Sequence, residues 1–221
     1  MKINQYIDHT LLKPTASSAQ IVQLCEEAIT HDFYAVCVNG SRVALAKKSV
    51  ANSAVKVAAV IGFPLGAMDT ESKVFEARKA IENGADEIDM VVNIGKVLEG
   101  ELSAVQDEIF QIKQAIGDKV LKVIFENCYL EASHITALSE ISLKAGADFI
   151  KTSTGFGTGG ATLEDVYRMA AATNNGIAIK AAGGIRDLDT AEKYLALGVT
   201  RLGTSSGVAL VTEGIAKKDS Y

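Results

Sequence analysis

The chain has 221 residues, with 22 Lys plus Arg against 27 Asp plus Glu, a formal net charge of −5 with the three His neutral. A hydrophobic content of 48% and a charged content of 22% are those of one globular domain, residues 1–221, with a large core, and exclude a disordered, collagen-like or disulfide-scaffold chain. No Lys/Arg run accompanies the mild acidity, so neither nucleic acid nor an anionic membrane is expected as a partner, and a small solute is.

Eight short β-rich runs follow in chain order, at 6–11, 34–38, 56–62, 87–93, 122–127, 149–154, 177–182 and 201–205, the first of them weak. Amphipathic helical stretches lie between them: 16–30 with Thr15 as an N-cap candidate, 71–82, 132–144, 163–173 after Thr162, and 190–196. One unit recurs three times, as Asn83-Gly-Ala-Asp-Glu-Ile-Asp-Met-Val-Val-Asn, Ala145-Gly-Ala-Asp-Phe-Ile-Lys-Thr-Ser-Thr-Gly and Leu197-Gly-Val-Thr-Arg-Leu-Gly-Thr-Ser-Ser-Gly. In each a helix stops at a Gly suited to the left-handed C′ position and a strand begins two or three residues later, the alternation that builds parallel sheets. Over 221 residues, eight units are roughly 28 residues each, near the repeat of a (β/α)₈ TIM barrel. An open doubly wound sheet would show the same alternation, but eight is the closure number, so the α/β class and a single-domain TIM barrel are expected.

Strands covered on both faces should read as nearly continuous Val, Ile and Leu. Three charges break that pattern: Asp89 within Glu-Ile-Asp-Met-Val-Val, Lys151 within Phe-Ile-Lys-Thr-Ser-Thr, and Lys180 within Ile-Ala-Ile-Lys-Ala-Ala. They could face outward or form an ion pair that serves only the fold, yet a buried pair is a doubtful stabiliser. As a set they make chemical sense. Desolvation and a second ammonium both disfavour the charged form of a lysine, turning one amine into a nucleophile, while a carboxylate can accept and return protons.

Glycine- and hydroxyl-rich turns follow the last strands: Thr154-Gly-Phe-Gly-Thr-Gly-Gly, counted after the fifth, Gly183-Gly-Ile-Arg after the sixth, and Gly203-Thr-Ser-Ser-Gly after the eighth. Such loops in barrels cradle phosphate with backbone N–H groups, and here they carry Arg186, Ser205 and Ser206. Neither a G-x-x-x-x-G-K-[ST] motif nor a strand-linked G-x-G-x-x-G with its ribose acid occurs, so no nucleotide is implied.

These residues resemble the deoxyribose-phosphate aldolase family, short bacterial type, over essentially the whole chain. The matching segments are Asp8-His-Thr-Leu-Leu-Lys-Pro, Ala35-Val-Cys-Val, Gly62-Phe-Pro-Leu-Gly, Glu87-Ile-Asp-Met-Val-Val-Asn-Ile-Gly, Lys122-Val-Ile-Phe-Glu, Phe149-Ile-Lys-Thr-Ser-Thr-Gly-Phe, Lys180-Ala-Ala-Gly-Gly-Ile-Arg and Gly203-Thr-Ser-Ser-Gly. The resemblance implies a class I, metal-free, cofactor-free aldolase of deoxyribonucleotide and deoxyribose phosphate catabolism, cleaving 2-deoxy-D-ribose 5-phosphate to glyceraldehyde 3-phosphate and acetaldehyde. By motif it makes Lys151 the Schiff-base nucleophile, Lys180 the cation that depresses its pKa, and Asp89 the proton-relay residue. It puts the substrate phosphate at Gly183, Gly184, Ser205 and Ser206, and Asp8 and Cys37 near the substrate, Cys37 as a barrel-lining rather than a reactive residue. Tyr221 matches a C-terminal Tyr that assists proton exchange in some members. The match departs at Glu126-Asn127-Cys128, where many relatives carry Glu-Thr-Cys. A homodimer is the form the resemblance implies.

Without the resemblance, a phosphosugar isomerase and a non-catalytic sugar-phosphate sensor on the same barrel are alternatives. Cys25, Cys37 and Cys128 are an odd set without a C-x-x-C pair, and His9, His31 and His134 are scattered, so reduced thiols and no metal site are expected. The first residues break the apolar stretch of a signal peptide, and the apolar run at 57–68 falls short of the about 20 residues a membrane span needs. A cytoplasmic location is the expectation.

Overall fold

The computed structural model of the chain describes residues 3–212. Eight parallel strands close into a barrel in sequence order: β1 (Ile7–Leu11), β2 (Ala35–Asn39), β3 (Lys56–Ile61), β4 (Glu87–Val91), β5 (Val120–Ile124), β6 (Phe149–Lys151), β7 (Ala178–Ala182) and β8 (Arg201–Thr204). The helices around it are α1 (Ser18–Thr30), α2 (Val43–Ser49), α3 (Thr70–Glu82), α4 (Ile94–Leu98), α5 (Leu102–Ile116), α6 (Ala132–Lys144), α7 (Leu163–Ala172), α8 (Leu188–Ala196) and α9 (Gly207–Thr212). The TIM barrel expected from the alternation is therefore the fold.

Local chemistry explains where the boundaries moved. Helix α1 starts at Ser18, not residue 16, because Ser17 and Gln20 form a reciprocal capping box that Thr15 lies too early to make. Helix α8 starts before Thr190 because the Asp187 side chain accepts from Thr190 N and from its hydroxyl. Thr162 caps α7 as expected. Gly84, Gly146 and Gly198, which follow the helix ends in the three repeated units, have φ of 105°, 81° and 87°, the left-handed backbone that Gly adopts without strain. Tyr6 belongs to a 3₁₀ turn, and β6 stops at Lys151, since past it the Thr152 hydroxyl bonds both Ala182 N and Ala182 O across to β7. The weak first run is a full barrel strand, and in the order of the eight runs the turns at Thr154 and Gly183 follow β6 and β7, not the fifth and sixth.

Side chains of successive strand residues alternate between the helices and the barrel interior. The outward set, with Ile7, Val36, Val57, Ile88, Met90, Leu121, Val123, Ile150 and Leu202, joins the helices in one buried apolar layer. A second, smaller apolar cluster of Leu12, Cys37, Ala58 and Val60 with Phe63 packed on it is separate from that layer and marks the apolar wall of the interior. The register sets the opposite wall: Asp89 pairs with Lys122, Ile124 with Lys151, Lys151 with Lys180, and Lys180 with Arg201. In-register neighbours point to the same side, so charges from β4 to β8 converge inside the barrel.

Candidate active site

Four cations and three carboxylates are buried together there: Lys122, Lys151, Lys180 and Arg201 with Asp8, Glu87 and Asp89. Asp89 is the hub. Its Oδ2 accepts from Lys151 Nζ at 2.9 Å and from Lys180 Nζ at 2.8 Å, and its Oδ1 accepts from Lys122 Nζ at 2.7 Å. Lys180 also donates to Asp8, whose other oxygen accepts from Arg201 at 2.9 Å. Arg201 reaches Glu87 at 3.0 Å, lies 3.6 Å from the centre of the Tyr34 ring, and Glu87 returns to Lys122. Room for Lys180 depends on Gly203, since a Cβ there would meet Lys180 Cε at 3.0 Å.

Electrostatics separate the four cations. Burial disfavours every ammonium, but around Lys180 the carboxylates of Asp8 and Asp89 overcome it and raise its pKa, and Asp89 with Glu87 does the same for Lys122. Arg201 is raised by Asp8 and Glu87 against its own burial. Lys151 goes the other way: burial lowers it, Asp89 opposes, and the neighbouring Lys180 tips it below the ordinary lysine value. Burial would raise Asp89, yet the three lysines hold it well below the usual carboxylate range, and Lys180 and Arg201 bring Asp8 to about 2. Charge counting agrees, because three carboxylates balance three cations and Lys151 is the fourth.

Of the residues picked out in the sequence, Asp8, Asp89, Lys151 and Lys180 are thus in one network. Cys37 lies close enough to feel Lys180, Asp89, Lys151 and Asp8, and burial pushes its thiol up, away from the reactive thiolate. Gly183, Gly184, Ser205 and Ser206 form a second group at the C-terminal ends of β7 and β8, lining a small cavity with Ile185, Arg186 and Thr204. The Thr204 hydroxyl donates to Ile185 O at 2.8 Å and accepts from Ser206 N at 2.9 Å, tying the two loops together. Tyr221 lies outside the described residues. A cleft of about 200 Å³ between β1 and α1 borders Phe156 and Ser205 at the barrel mouth, where Phe63 and Phe156 meet edge to face at 5.3 Å.

Lys122, Glu87 and Arg201 were not singled out. Lys122 interrupts Val-Leu-Lys-Val-Ile just as Lys151 interrupts its own strand, so the same test applied to β5 finds it. Asn127, at the departure from the family pattern, points to Met169 and hydrogen-bonds to none of the seven ionisable groups. His9 and His31 flank the Phe33 ring and His134 serves the start of α6; among the described residues no His, Cys, Asp or Glu cluster has metal-binding geometry.

A family model described as DeoC/LacD family aldolase matches residues 2–210. The chain belongs to the DeoC/LacD aldolase family. The chain is 52% identical over 214 residues to the deoxyribose-phosphate aldolase of Treponema denticola, covering 96% of this chain and 99% of that one. The Streptococcus uberis deoxyribose-phosphate aldolase is 51% identical over the full length of both chains, 221 residues. Among solved structures, the tetrameric deoxyribose phosphate aldolase of Aeropyrum pernix superposes with a TM-score of 0.86 at 33% identity, covering 95% of this chain and 89% of that one. This DeoC/LacD family member is an aldolase, a carbon–carbon lyase, and these relatives give the isomerase and sensor alternatives no support.

Proposed function

We propose that this aldolase reversibly cleaves 2-deoxy-D-ribose 5-phosphate to D-glyceraldehyde 3-phosphate and acetaldehyde through a Schiff base on Lys151. The observation that carries the reading is the direction of one pKa: of the four barrel cations, Lys151 alone is lowered, and a lysine must be neutral to attack a carbonyl. The names of the close relatives supply the substrate.

The neutral amine of Lys151 adds to C1 of the sugar, and the carbinolamine loses water to an iminium. As Asp89, through a water, takes the C3 hydroxyl proton, the C2–C3 bond breaks and its electrons pass into the iminium, leaving an enamine and releasing glyceraldehyde 3-phosphate. With the ammonium groups of Lys122 and Lys180 hydrogen-bonded to it, Asp89 passes the proton on rather than keeping it, as a relay must. Protonation of the enamine at C2 and hydrolysis then give acetaldehyde and free Lys151. The iminium is the electron sink, so the scheme needs no metal or cofactor. Lys180 stays charged and keeps Lys151 neutral. The loops of Gly183, Gly184, Ser205 and Ser206 hold the phosphate, and Asp8 and Cys37 line the sugar's side of the barrel.

Borohydride added during incubation with acetaldehyde, followed by peptide mapping, tests this. The expected result is one adduct, on Lys151; no adduct on any lysine, with turnover unaffected by borohydride, refutes it. We further read the working form as a homodimer. The Aeropyrum pernix relative is tetrameric, and Leu65, Phe75 and Tyr167 stay mostly exposed on the single chain, apolar surface of the kind a subunit contact covers. Among the described residues no helix is long and apolar enough to cross a membrane, and Cys25, Cys37 and Cys128 are free thiols, which supports a cytoplasmic location.

A further inference from the structure

Glu126 is a buried carboxylate without a role in the ion network. It is 2% exposed and sits in left-handed backbone with φ 60°, a conformation few residues other than Gly adopt. Among the described residues no Lys, Arg or His pairs with it. Both its oxygens are taken by one residue: Oε1 accepts from Thr154 N at 3.1 Å and Oε2 from the Thr154 hydroxyl. A buried carboxyl group is costly unless it is hydrogen-bonded, so these contacts are specific rather than incidental.

Thr154 lies three residues beyond Lys151 and starts the loop that leads to α7. Its hydroxyl oxygen accepts from Phe156 N at 2.9 Å, so Glu126 sets the first turn of the loop and with it the Phe156 ring over the mouth. Gly157 next passes so close that a Cβ would meet Cys128 Sγ at 2.8 Å and the Glu126 carboxyl carbon at 3.0 Å. At its far end the loop lies against Gly183. A Cβ on Gly183 would meet Gly160 Cα at 2.9 Å, and Ala161 N donates to Ala182 O and Gly183 O, both at 3.1 Å. One strip of chain therefore runs from Glu126 to the glycine turn assigned to phosphate.

We infer that Glu126 is a positioning residue for phosphate recognition, acting through Thr154 and the 154–161 loop on Gly183. This rests on the Schiff-base and phosphate-loop assignments above. Lys151 is anchored by Asp89 and not by Glu126, so the chemistry at the amine and the grip on the phosphate separate. In Glu126→Ala, KM for 2-deoxy-D-ribose 5-phosphate rises about tenfold or more, while the rate of borohydride trapping with acetaldehyde, which has no phosphate, stays within about twofold of wild type. Glu126→Gln, which keeps one acceptor for Thr154 N, falls between wild type and Glu126→Ala in KM. Gly157→Ala, whose backbone conformation Ala adopts freely, presses on the same contact from the loop side and gives the same split, including where Glu126→Ala does not fold. A KM unchanged in all three variants overturns the inference, and so does a fall in trapping parallel to the loss of substrate affinity, which is what a merely structural residue would give. Wild-type protein that forms no acetaldehyde adduct instead overturns the Schiff-base reading beneath it, so the two failures are told apart.

Discussion

Lys180→Met removes one charge at nearly constant side-chain length and reverses the charge balance around Lys151. With Lys180 present, three carboxylates face three other cations and the network is neutral when Lys151 is neutral; without it, neutrality requires Lys151 to be charged. The size of the effect follows from geometry. Both amines reach Asp89 Oδ2, at 2.9 and 2.8 Å, so their nitrogens lie within about 6 Å, and at an effective dielectric of about 20 two like charges at that separation repel by roughly 3 kcal/mol. Removing that repulsion favours protonated Lys151 by about a hundredfold, since each factor of ten is roughly 1.4 kcal/mol. The Oδ2 freed by Lys180 acts in the same direction. Because the neutral amine reacts, the variant's trapping rate with acetaldehyde at pH 7 falls by up to about a hundredfold and its pH curve moves to higher pH. Each carboxylate keeps a cation, Asp8 with Arg201 and Asp89 with Lys122 and Lys151, so the barrel should still fold. Trapping rates measured across roughly pH 6 to 10 decide the matter: a curve that coincides with wild type refutes the assigned electrostatic role.

Lys180 and Arg201 hold the Asp8 carboxyl at about 2, below the ordinary 3.8 that it has in the unfolded chain, so its contribution is present above about pH 4 and is lost as pH falls toward 2. That difference corresponds to about 2 kcal/mol, and the acid limb of the urea midpoint should flatten in Asp8→Asn; an identical limb counts against it. Lys73 is fully buried between Glu108, at 2.8 Å, and Val91 O, at 2.9 Å, outside the barrel interior. Lys73→Met strands Glu108 and costs about 3 to 5 kcal/mol in urea denaturation, most of it recovered in Lys73→Met/Glu108→Leu, with acetaldehyde trapping little changed. Gly183→Ala has a φ of 86° and a Cβ 2.9 Å from Gly160 Cα to accommodate, so KM for the phosphorylated sugar rises about tenfold and trapping is spared; an unchanged KM places the phosphate elsewhere.

How much was legible in the residues depended on whether the signal was local. The glycine that ends each of the three repeated helices is a local demand of backbone geometry, and it marked the βα units correctly. Asp89, Lys151 and Lys180 stood out because each interrupts an apolar strand. Which lysine is lowered was not legible in composition or spacing, since that depends on how many carboxylates surround each one, and those come from strands far apart in sequence. Glu87 and Arg201 sit at strand ends, where a charge is unremarkable, so neither drew attention. Glu126 was hidden for another reason: its partner is a threonine 28 residues away, and a hydroxyl leaves no charge pattern to read. Helices α2, α4 and α5 were not among the expected stretches, although Val105, Ile109, Ile112 and Ile116 of α5 recur at helical spacing.

The two apolar clusters explain how the barrel can carry so much charge. An apolar residue at any of the inward positions of Asp89, Lys122, Lys151 or Lys180 would contribute about 1.5 to 3 kcal/mol by burial, and a buried ion network of equal volume contributes little net stability. The chain gives up that stability in the interior because the continuous layer between strands and helices already holds the fold. Separation of the two layers also confines the chemistry. A change in the ion network alters which amine is neutral without loosening the helices, and a change such as Lys73→Met loosens the shell without altering which amine is neutral. The molecule as a whole is acidic at −5, while its barrel with every group ionised carries one positive charge more than it has carboxylates. That single excess charge is what makes the Lys151 proton the easiest of the set to lose.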